Sequence, residues 1–138
     1  MMLFNKLCRS LLYGLAIFAS CSAPKAILID QNASSKQLQT TLEINEHSIK
    51  GDVLKLSVTY KGCKKDTLQL VTNGMHKKTN PPSIKLFLIH KNCGGDCDEN
   101  ISKMIKFDVS NLKLENTEEQ NTLMLNIENY PTSIEYVY

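Results

Sequence analysis

Arginine is almost absent from this chain, and its scarcity limits what the protein is expected to bind. The only arginine is Arg9, which lies with Lys6 in an N-terminal stretch of twenty residues that has no acidic residue. Of 16 basic residues, 14 therefore remain beyond that stretch, and they balance the 14 acidic residues. Arginine is the favoured ligand for phosphate groups and guanine. A neutral chain without arginine is not expected to bind nucleic acid.

A long hydrophobic run is also missing from the N-terminal stretch. Its apolar run covers only residues 11–18, follows Lys6 and Arg9, and is followed by small residues. A transmembrane helix needs roughly 20 apolar residues, so this run is too short to span a bilayer. A secretory signal peptide has this order: a positively charged start, a short apolar run and then small residues. We therefore predict a signal peptide for residues 1–20.

The residues that follow the run predict a lipid anchor. Phe18-Ala19-Ser20-Cys21 resembles the lipobox of bacterial lipoproteins, in which the cysteine thiol receives a diacylglycerol, although Phe18 replaces the usual leucine. Cleavage after Ala23 by an ordinary signal peptidase is disfavoured, because Pro24 would follow the scissile bond. Cleavage by that enzyme after Cys21 is less usual. We therefore expect lipid on Cys21, and two or more acyl chains hold a protein durably at a membrane.

Signatures of common catalytic sites are absent as well. The sequence contains no G-x-S-x-G elbow, no phosphate-binding P-loop and no G-x-G-x-x-G fingerprint. We therefore predict no catalytic residues and no cofactor, and we expect a protein that is not an enzyme.

Helical periodicity is missing too, and apolar residues recur instead at every second position. No 11-residue window carries the stripe of an amphipathic helix, whereas residues 53–60 alternate between apolar even and mostly polar odd positions. In residues 83–89 one face carries Ile84, Leu86 and Leu88 and the other Phe87 and Ile89, so we expect burial on both sides.

About seven such segments predict an all-β fold. They are residues 42–44, 53–60, 67–70, 83–89, 105–109, 123–127 and 134–138, with residues 112–114 as a further candidate. Short strands separated by turn-forming loops favour an antiparallel β-sandwich, with a small open β-barrel as the alternative. We assign this domain to residues 41–138. Residues 21–40, rich in Ser, Ala, Gln, Asn and Lys, are expected to form a tether behind the lipidated cysteine.

Three cysteines remain after Cys21, and thiols in an exported protein tend to pair. They are Cys63, Cys93 and Cys97, and three thiols cannot all pair within one chain. We favour Cys63–Cys97, which closes about 35 residues and is expected to contribute about 3–4 kcal/mol through loop-closure entropy. Cys93–Cys97, whose smaller loop contains two glycines, and Cys63–Cys93 stay open as alternatives.

The segment 90–99 is the densest in reactive side chains. A zinc site made by His90 and the cysteines has nearly the spacing of structural zinc, but exported cysteines are more often disulfides, so we predict no metal. A cysteine nucleophile activated by His90 needs an orienting acid, and the sequence assigns none. We expect His90 to be partly buried against a loop carbonyl. The candidate binding residues lie on loops beside the favoured bridge: Lys64, Lys65, His90, Asp96 and Asp98.

Several short segments also carry a resemblance. They are Leu56–Tyr60, Gly62–Lys64, Pro81–Pro82, Leu88–His90, Gly95–Cys97 and Phe107–Ser110. In them the chain resembles a family of small uncharacterised lipoproteins of Bacteroidetes, over about half of the chain that follows the signal. The resemblance implies that Cys63 and Cys97 are paired and that Cys93 is the extra cysteine. A histidine often follows the Gly-Cys-Lys element in this family, whereas this chain has Asp66. The family has no activity to carry over.

These observations predict a lipid-anchored protein of the cell envelope, at the outer membrane and facing the periplasm. We expect a non-enzymatic binding or accessory module that presents a loop face, defined as residues 61–66 and 91–100, to an envelope protein or glycan. An inhibitor of an envelope-attacking hydrolase is the alternative hypothesis. A metal-dependent protein that uses His90 and the nearby cysteines is the third.

Overall fold

The computed structural model describes residues 23–35, 41–114 and 121–138, which form β-strands and loops. The strands are β1 (Lys25–Ala26), β2 (Leu28–Ile29), β3 (Glu43–Lys50), β4 (Val53–Gly62), β5 (Thr67–Thr72), β6 (His76–Lys77), β7 (Ser83–Lys91), β8 (Glu99–Asp108), β9 (Thr122–Ile127) and β10 (Ile134–Val137). A 3-10 turn, Ser110–Leu112, follows β8, and the described residues contain no α-helix. The predicted all-β class is confirmed.

The strands form two sheets. The first has the order β1-β8-β4-β3, and the second has the order β10-β9-β7-β5-β2, with β6 paired to β7. Two separate sheets fit the predicted sandwich and not the barrel alternative.

The prediction that the sheets are antiparallel is wrong for three strand pairs. β1 pairs parallel to β8, β2 to β5, and β7 to β9. The last pair has a topological reason. In the chain, β8 follows β7 and precedes β9, but it belongs to the first sheet, whereas β7 and β9 belong to the second. The chain therefore leaves the second sheet after β7 and returns to it in the same direction. A parallel neighbour requires such a crossover connection.

The main core lies between the sheets and follows the alternation in the sequence. In β4 the buried residues are Leu54, Leu56, Val58, Tyr60 and Gly62, and the intervening side chains are at least partly exposed. Strand β7 is buried on both faces as predicted, because Phe87 packs in a second small cluster with Ala33 and Val71 on the outer side of the second sheet.

The N-terminal segment contacts both sheets. β1 pairs with the end of β8 in the first sheet, and β2 pairs with the end of β5 in the second. Ile27, between them, is 3% exposed and belongs to the main core. Part of the segment predicted as a tether is therefore packed against the domain.

Candidate functional site

The loop face is built by two connections that cross between the sheets at the same end of the sandwich. Residues 63–66 cross from β4 to β5, and residues 92–98 cross back from β7 to β8. Gly62 is paired with Glu99, and Thr67 is paired with Lys91, so both crossings start and finish at neighbouring strand ends. The topology thus brings the two predicted loops together.

A disulfide joins the two crossings. Cys63 and Cys97 are bonded, with their Cα atoms 4.9 Å apart, within the usual range for a disulfide. The predicted pair is confirmed, and Cys93 is an exposed free thiol. Gly95 is packed so closely that a Cβ atom there would lie 2.8 Å from the sulfur of Cys63. A side chain at this position would therefore displace the bridge.

A buried carboxylate joins the same two loops a second time. Asp66 is 2% exposed, and its Oδ1 accepts the backbone N–H of Cys93 at 2.9 Å. Its Oδ2 accepts the backbone N–H of Cys63 at 2.9 Å and lies 2.8 Å from Nε2 of His90. Both oxygens are therefore used, as a buried charge requires.

These donors keep the carboxylate ionised. The backbone N–H of Cys93 is the largest cause that lowers the pKa of Asp66, followed by that of Cys63. Burial alone would raise the pKa of this carboxyl, but the hydrogen bonds to its charged form outweigh it and hold the pKa far below its usual value. An ionised carboxylate only accepts hydrogen bonds, so Nε2 of His90 must donate in this contact.

Tyr60 and Lys103 support the loop of residues 63–66 from below. The hydroxyl of Tyr60 donates to the carbonyl of Cys63 at 3.1 Å. The ammonium of Lys103 donates to the carbonyls of Lys64 and Asp66 at 2.8 and 2.9 Å, and it lies 5.4 Å from the centre of the Tyr60 ring. The carbonyls of Cys63, Lys64 and Asp66 thus have partners in the strands beneath the loop.

His90 is buried at the end of β7, and Asp66 is a partner that the sequence did not identify. Its ring centre lies 4.6 Å from that of Tyr60. Asp66 is also the orienting acid that a catalytic arrangement would need. However, the side chains of His90 and Asp66 are only 3% and 0% exposed, so a substrate has no access to them in this conformation. The pair positions the loops.

The other predicted binding residues are accessible. Lys64, Lys65, Asp96 and Asp98 are exposed on the two crossings, whereas His90 lies beneath them. The surface available to a partner therefore carries charged side chains of both signs. They project from two crossings that the disulfide and Asp66 hold together.

The structure allows a direct test of the zinc hypothesis. Ligand atoms of Cys63, Asp66 and Cys93 all lie within 4.8 Å of one another. The sulfur of Cys63 is bonded to Cys97, however, and both oxygens of Asp66 accept hydrogen bonds. Structural zinc takes four donors, usually thiolate or imidazole. The oxidised loop face therefore does not fit this metal.

Asp66, Tyr60 and Lys103 are the members of the site that the sequence analysis missed. A signal for Lys103 was present, because it interrupts the apolar alternation Ile101–Ile105 on the core side of β8. Asp66 had no comparable signal, because an acidic residue in a polar loop is normally solvated.

The predicted lipid anchor, Cys21, lies outside the described residues. No helix within the described ranges is both long and apolar enough to cross a bilayer.

Comparison with known proteins shows similar folds but no function. No protein-family model and no curated protein matches the chain. Among solved structures, a protein of unknown function, DUF1344, from Bacteroides vulgatus has a TM-score of 0.52 at 18% identity, over 83% of this chain and 55% of that one. A NigD-like immunity protein from Bacteroides caccae has a TM-score of 0.51 at 12% identity, over 83% of this chain and 59% of that one.

A candidate lipoprotein from Bacteroides fragilis has 17% identity over 83% of this chain and 68% of that one, but its TM-score of 0.47 is too low to carry an argument. The chain thus spans little more than half of the first two structures. At these identities the likeness shows that this chain shares a fold with these proteins, and nothing further.

Proposed function

We propose that this protein is a lipid-anchored accessory or binding protein of the cell envelope, which presents its loop face to a protein or glycan partner and is not an enzyme. The observation that carries the proposal is the double connection of the two crossings, by the Cys63–Cys97 disulfide and by Asp66. Loops held on a rigid scaffold are where binding sites usually occur, because their geometry is fixed before the partner arrives.

The exposed charges indicate the kind of contact. Two lysines project from the first crossing and two aspartates from the second, while the buried side chains below them have partners within the fold. Complementary charges on a partner would set its orientation and its association rate.

The loop face can be tested by cross-linked pull-down from membranes. We expect the quadruple variant Lys64→Ala/Lys65→Ala/Asp96→Ala/Asp98→Ala to lose the partner that the unaltered protein captures. A matched control is Lys77→Ala/Lys78→Ala, two neighbouring exposed lysines near the start of β7, at the opposite end of the second sheet. Capture that survives the quadruple variant would contradict the proposed face.

The anchor has a separate test. We expect the purified membrane form to begin at Cys21 and to carry acyl chains, seen as an added mass on the N-terminal peptide. Cys21→Ala is expected to abolish both the added mass and the membrane association. An uncut N-terminus without lipid would overturn the anchor, while leaving the loop-face experiment interpretable.

An inhibitor is the second candidate, and the fold likeness to a NigD-like immunity protein favours it. In this hypothesis the loop face contacts a hydrolase that attacks the envelope. Inhibition of lysozyme-type activity by the unaltered protein, and not by the quadruple variant, would separate this function from that of a passive accessory module.

A further inference from the structure

A second surface lies on the outer face of the first sheet, far from the loop face. It is a cleft of about 490 Å³. Its described lining comprises Ala23, Pro24, Ser48, Lys50, Val53, Lys55 and Lys106. Among the described residues, this lining has three lysines and no acidic side chain, and Ala23, Pro24 and Val53 add apolar groups. It therefore differs from the loop face, where both charge signs occur.

The strand register places the three lysines beside one another. Lys55 is directly opposite Lys106 on β8, and Lys50 is opposite Val53 on the other side. Like charges in facing positions of a sheet are destabilising. None of the three forms an ion pair with a described residue. Such a cluster is suited to binding an anion.

The acidic groups described on this face form no ion pair with the cluster. Asp108 lies opposite Val53, but its carboxylate accepts the backbone N–H of Ser110 at 2.9 Å. Glu46 lies opposite Ser57, farther along the sheet, and forms no ion pair with a described residue.

The position of Ala23 and Pro24 points to an occupant of the cleft. Ala23 and Pro24 line it, and Cys21 is only two residues before Ala23. Two residues span at most about 7 Å between Cα atoms, so a lipid on the sulfur of Cys21 would be attached close to the residues that line the cleft. Acyl chains on that sulfur enter the bilayer, which brings lipid headgroups to the same place.

We propose that the cleft of Lys50, Lys55 and Lys106 binds the headgroups of anionic phospholipids and docks this face of the domain on the membrane that holds the anchor. The inference rests on the proposed acylation of Cys21. Basic residues near an anionic surface each strengthen the association, and the contribution falls away within a Debye length.

Lysine footprinting on vesicles tests the inference. The full-length lipidated protein is reconstituted into phosphatidylglycerol or phosphatidylcholine vesicles, labelled with an amine-reactive reagent and analysed by mass spectrometry. In phosphatidylglycerol we expect labelling of the three cleft lysines to fall roughly fivefold relative to phosphatidylcholine. Labelling of Lys64 and Lys65 is expected to stay equal. Added salt is expected to remove the difference.

A variant extends the test to the cleft itself. In Lys55→Gln/Lys106→Gln we expect Lys50 to lose its protection in phosphatidylglycerol vesicles, because two of the three charges are gone. The control Lys64→Gln/Lys65→Gln removes the same charge from the loop face and is expected to leave Lys50 protected. Thermal melts of both variants check that the fold is intact.

The N-terminal peptide in the same spectra separates the two proposals. A lipid on Cys21 together with equal labelling in both vesicles would overturn the docking inference and leave the anchor standing. An N-terminus without lipid would overturn both. A lipid with protection confined to the cleft lysines in anionic vesicles is the result that supports the inference.

Discussion

At the scale of single residues, Asp66 makes the stability of the loop face depend on pH. Its folded pKa is depressed by the backbone N–H groups of Cys93 and Cys63 and, to a smaller extent, by His90. A carboxyl with a depressed folded pKa contributes stability that is present above its unfolded value, near 3.9, and is lost as the pH falls below that value. The unfolded state then binds a proton that the folded state does not.

The first prediction concerns Asp66→Asn. The amide has one acceptor oxygen where the carboxylate has two, so its NH₂ group faces at least one of the N–H donors, and a buried donor is left unsatisfied. We expect a lower melting temperature at pH 7 and a smaller loss of stability between pH 5 and pH 2, because the titrating group is gone.

Urea denaturation across this pH series measures both effects. Asp98→Asn is the matched control, since Asp98 is exposed in the same region of the chain. If Asp66→Asn and Asp98→Asn changed the pH profile equally, the buried network would not be the source of the dependence.

The second prediction concerns the free thiol. The sulfurs of Cys93 and Cys63 lie within 4.8 Å of each other, although Cys63 is bonded to Cys97. Loss of the native bridge is expected to cost about 3–4 kcal/mol. In Cys97→Ala we expect oxidation to form Cys63–Cys93 instead, so that this variant loses less stability than Cys97→Ala/Cys93→Ala. Disulfide mapping with urea denaturation under oxidising conditions measures this, and free thiols on both Cys63 and Cys93 in Cys97→Ala would contradict it.

At the scale of elements, the N-terminal segment is the clearest departure from the sequence analysis. Its two strands have only two residues each, and neither carries a period-two signal. Short edge strands obtain their stability from the sheets they join, so local sequence does not reveal them. Ile27, between the two strands, is buried, and a free tether would have no reason to bury an apolar side chain.

The third prediction therefore compares two isoleucines of this segment. Ile27 is 3% exposed in the main core, whereas Ile29 is 61% exposed. We expect Ile27→Ala to reduce the free energy of unfolding by about 2–4 kcal/mol, because it removes buried methyl groups and leaves a cavity. Ile29→Ala is expected to change it by less than about 0.5 kcal/mol. Equal small effects in denaturant titrations would mean that the segment is not packed in solution.

Alternation predicted the long strands well and failed where a polar residue points inward. β4 and β9 lie where the period-two pattern placed them, because each buries one face completely. β8 begins at Glu99, six residues before the predicted start at residue 105. Lys103 occupies a core-side position there and breaks the pattern, since its ammonium is used by loop carbonyls. Residues 110–112 form a 3-10 turn, so the candidate strand at residues 112–114 is wrong.

The candidate site was predictable in part. Reasoning from the cysteines and the order of the strands favoured the Cys63–Cys97 bridge over two open alternatives and predicted the two loops. The Asp66–His90 contact could not be derived, because it joins residues that are 24 positions apart and depends on how β5 pairs with β7. The parallel pairing of β7 with β9 was also beyond the sequence, since periodicity is the same in parallel and antiparallel strands.

At the scale of the whole molecule, the cleft and the loop face lie toward opposite ends of β4. Val53 and Lys55 line the cleft near its start, and Gly62 and Cys63 lead into the loop face at its end. A β-strand rises about 3.3 Å per residue, so β4 separates the two surfaces by roughly 30 Å. Docking through the outer face of the first sheet would lay β4 along the bilayer, so the loop face would remain at the end of the docked domain, where a partner can reach it.

The fourth prediction measures this arrangement by energy transfer to headgroup-labelled lipid in anionic vesicles. One donor is attached to Cys93, the exposed free thiol on the loop face. The other is attached at Ser48→Cys in a Cys93→Ser background, since Ser48 lines the cleft. We expect lower transfer from Cys93, because its crossing comes from the second sheet, which packs about 10 Å behind the first, whereas Ser48 lies on the docked face. Detergent should abolish transfer from both donors, and equal or reversed efficiencies in intact vesicles would mean that the domain does not stand on its cleft face.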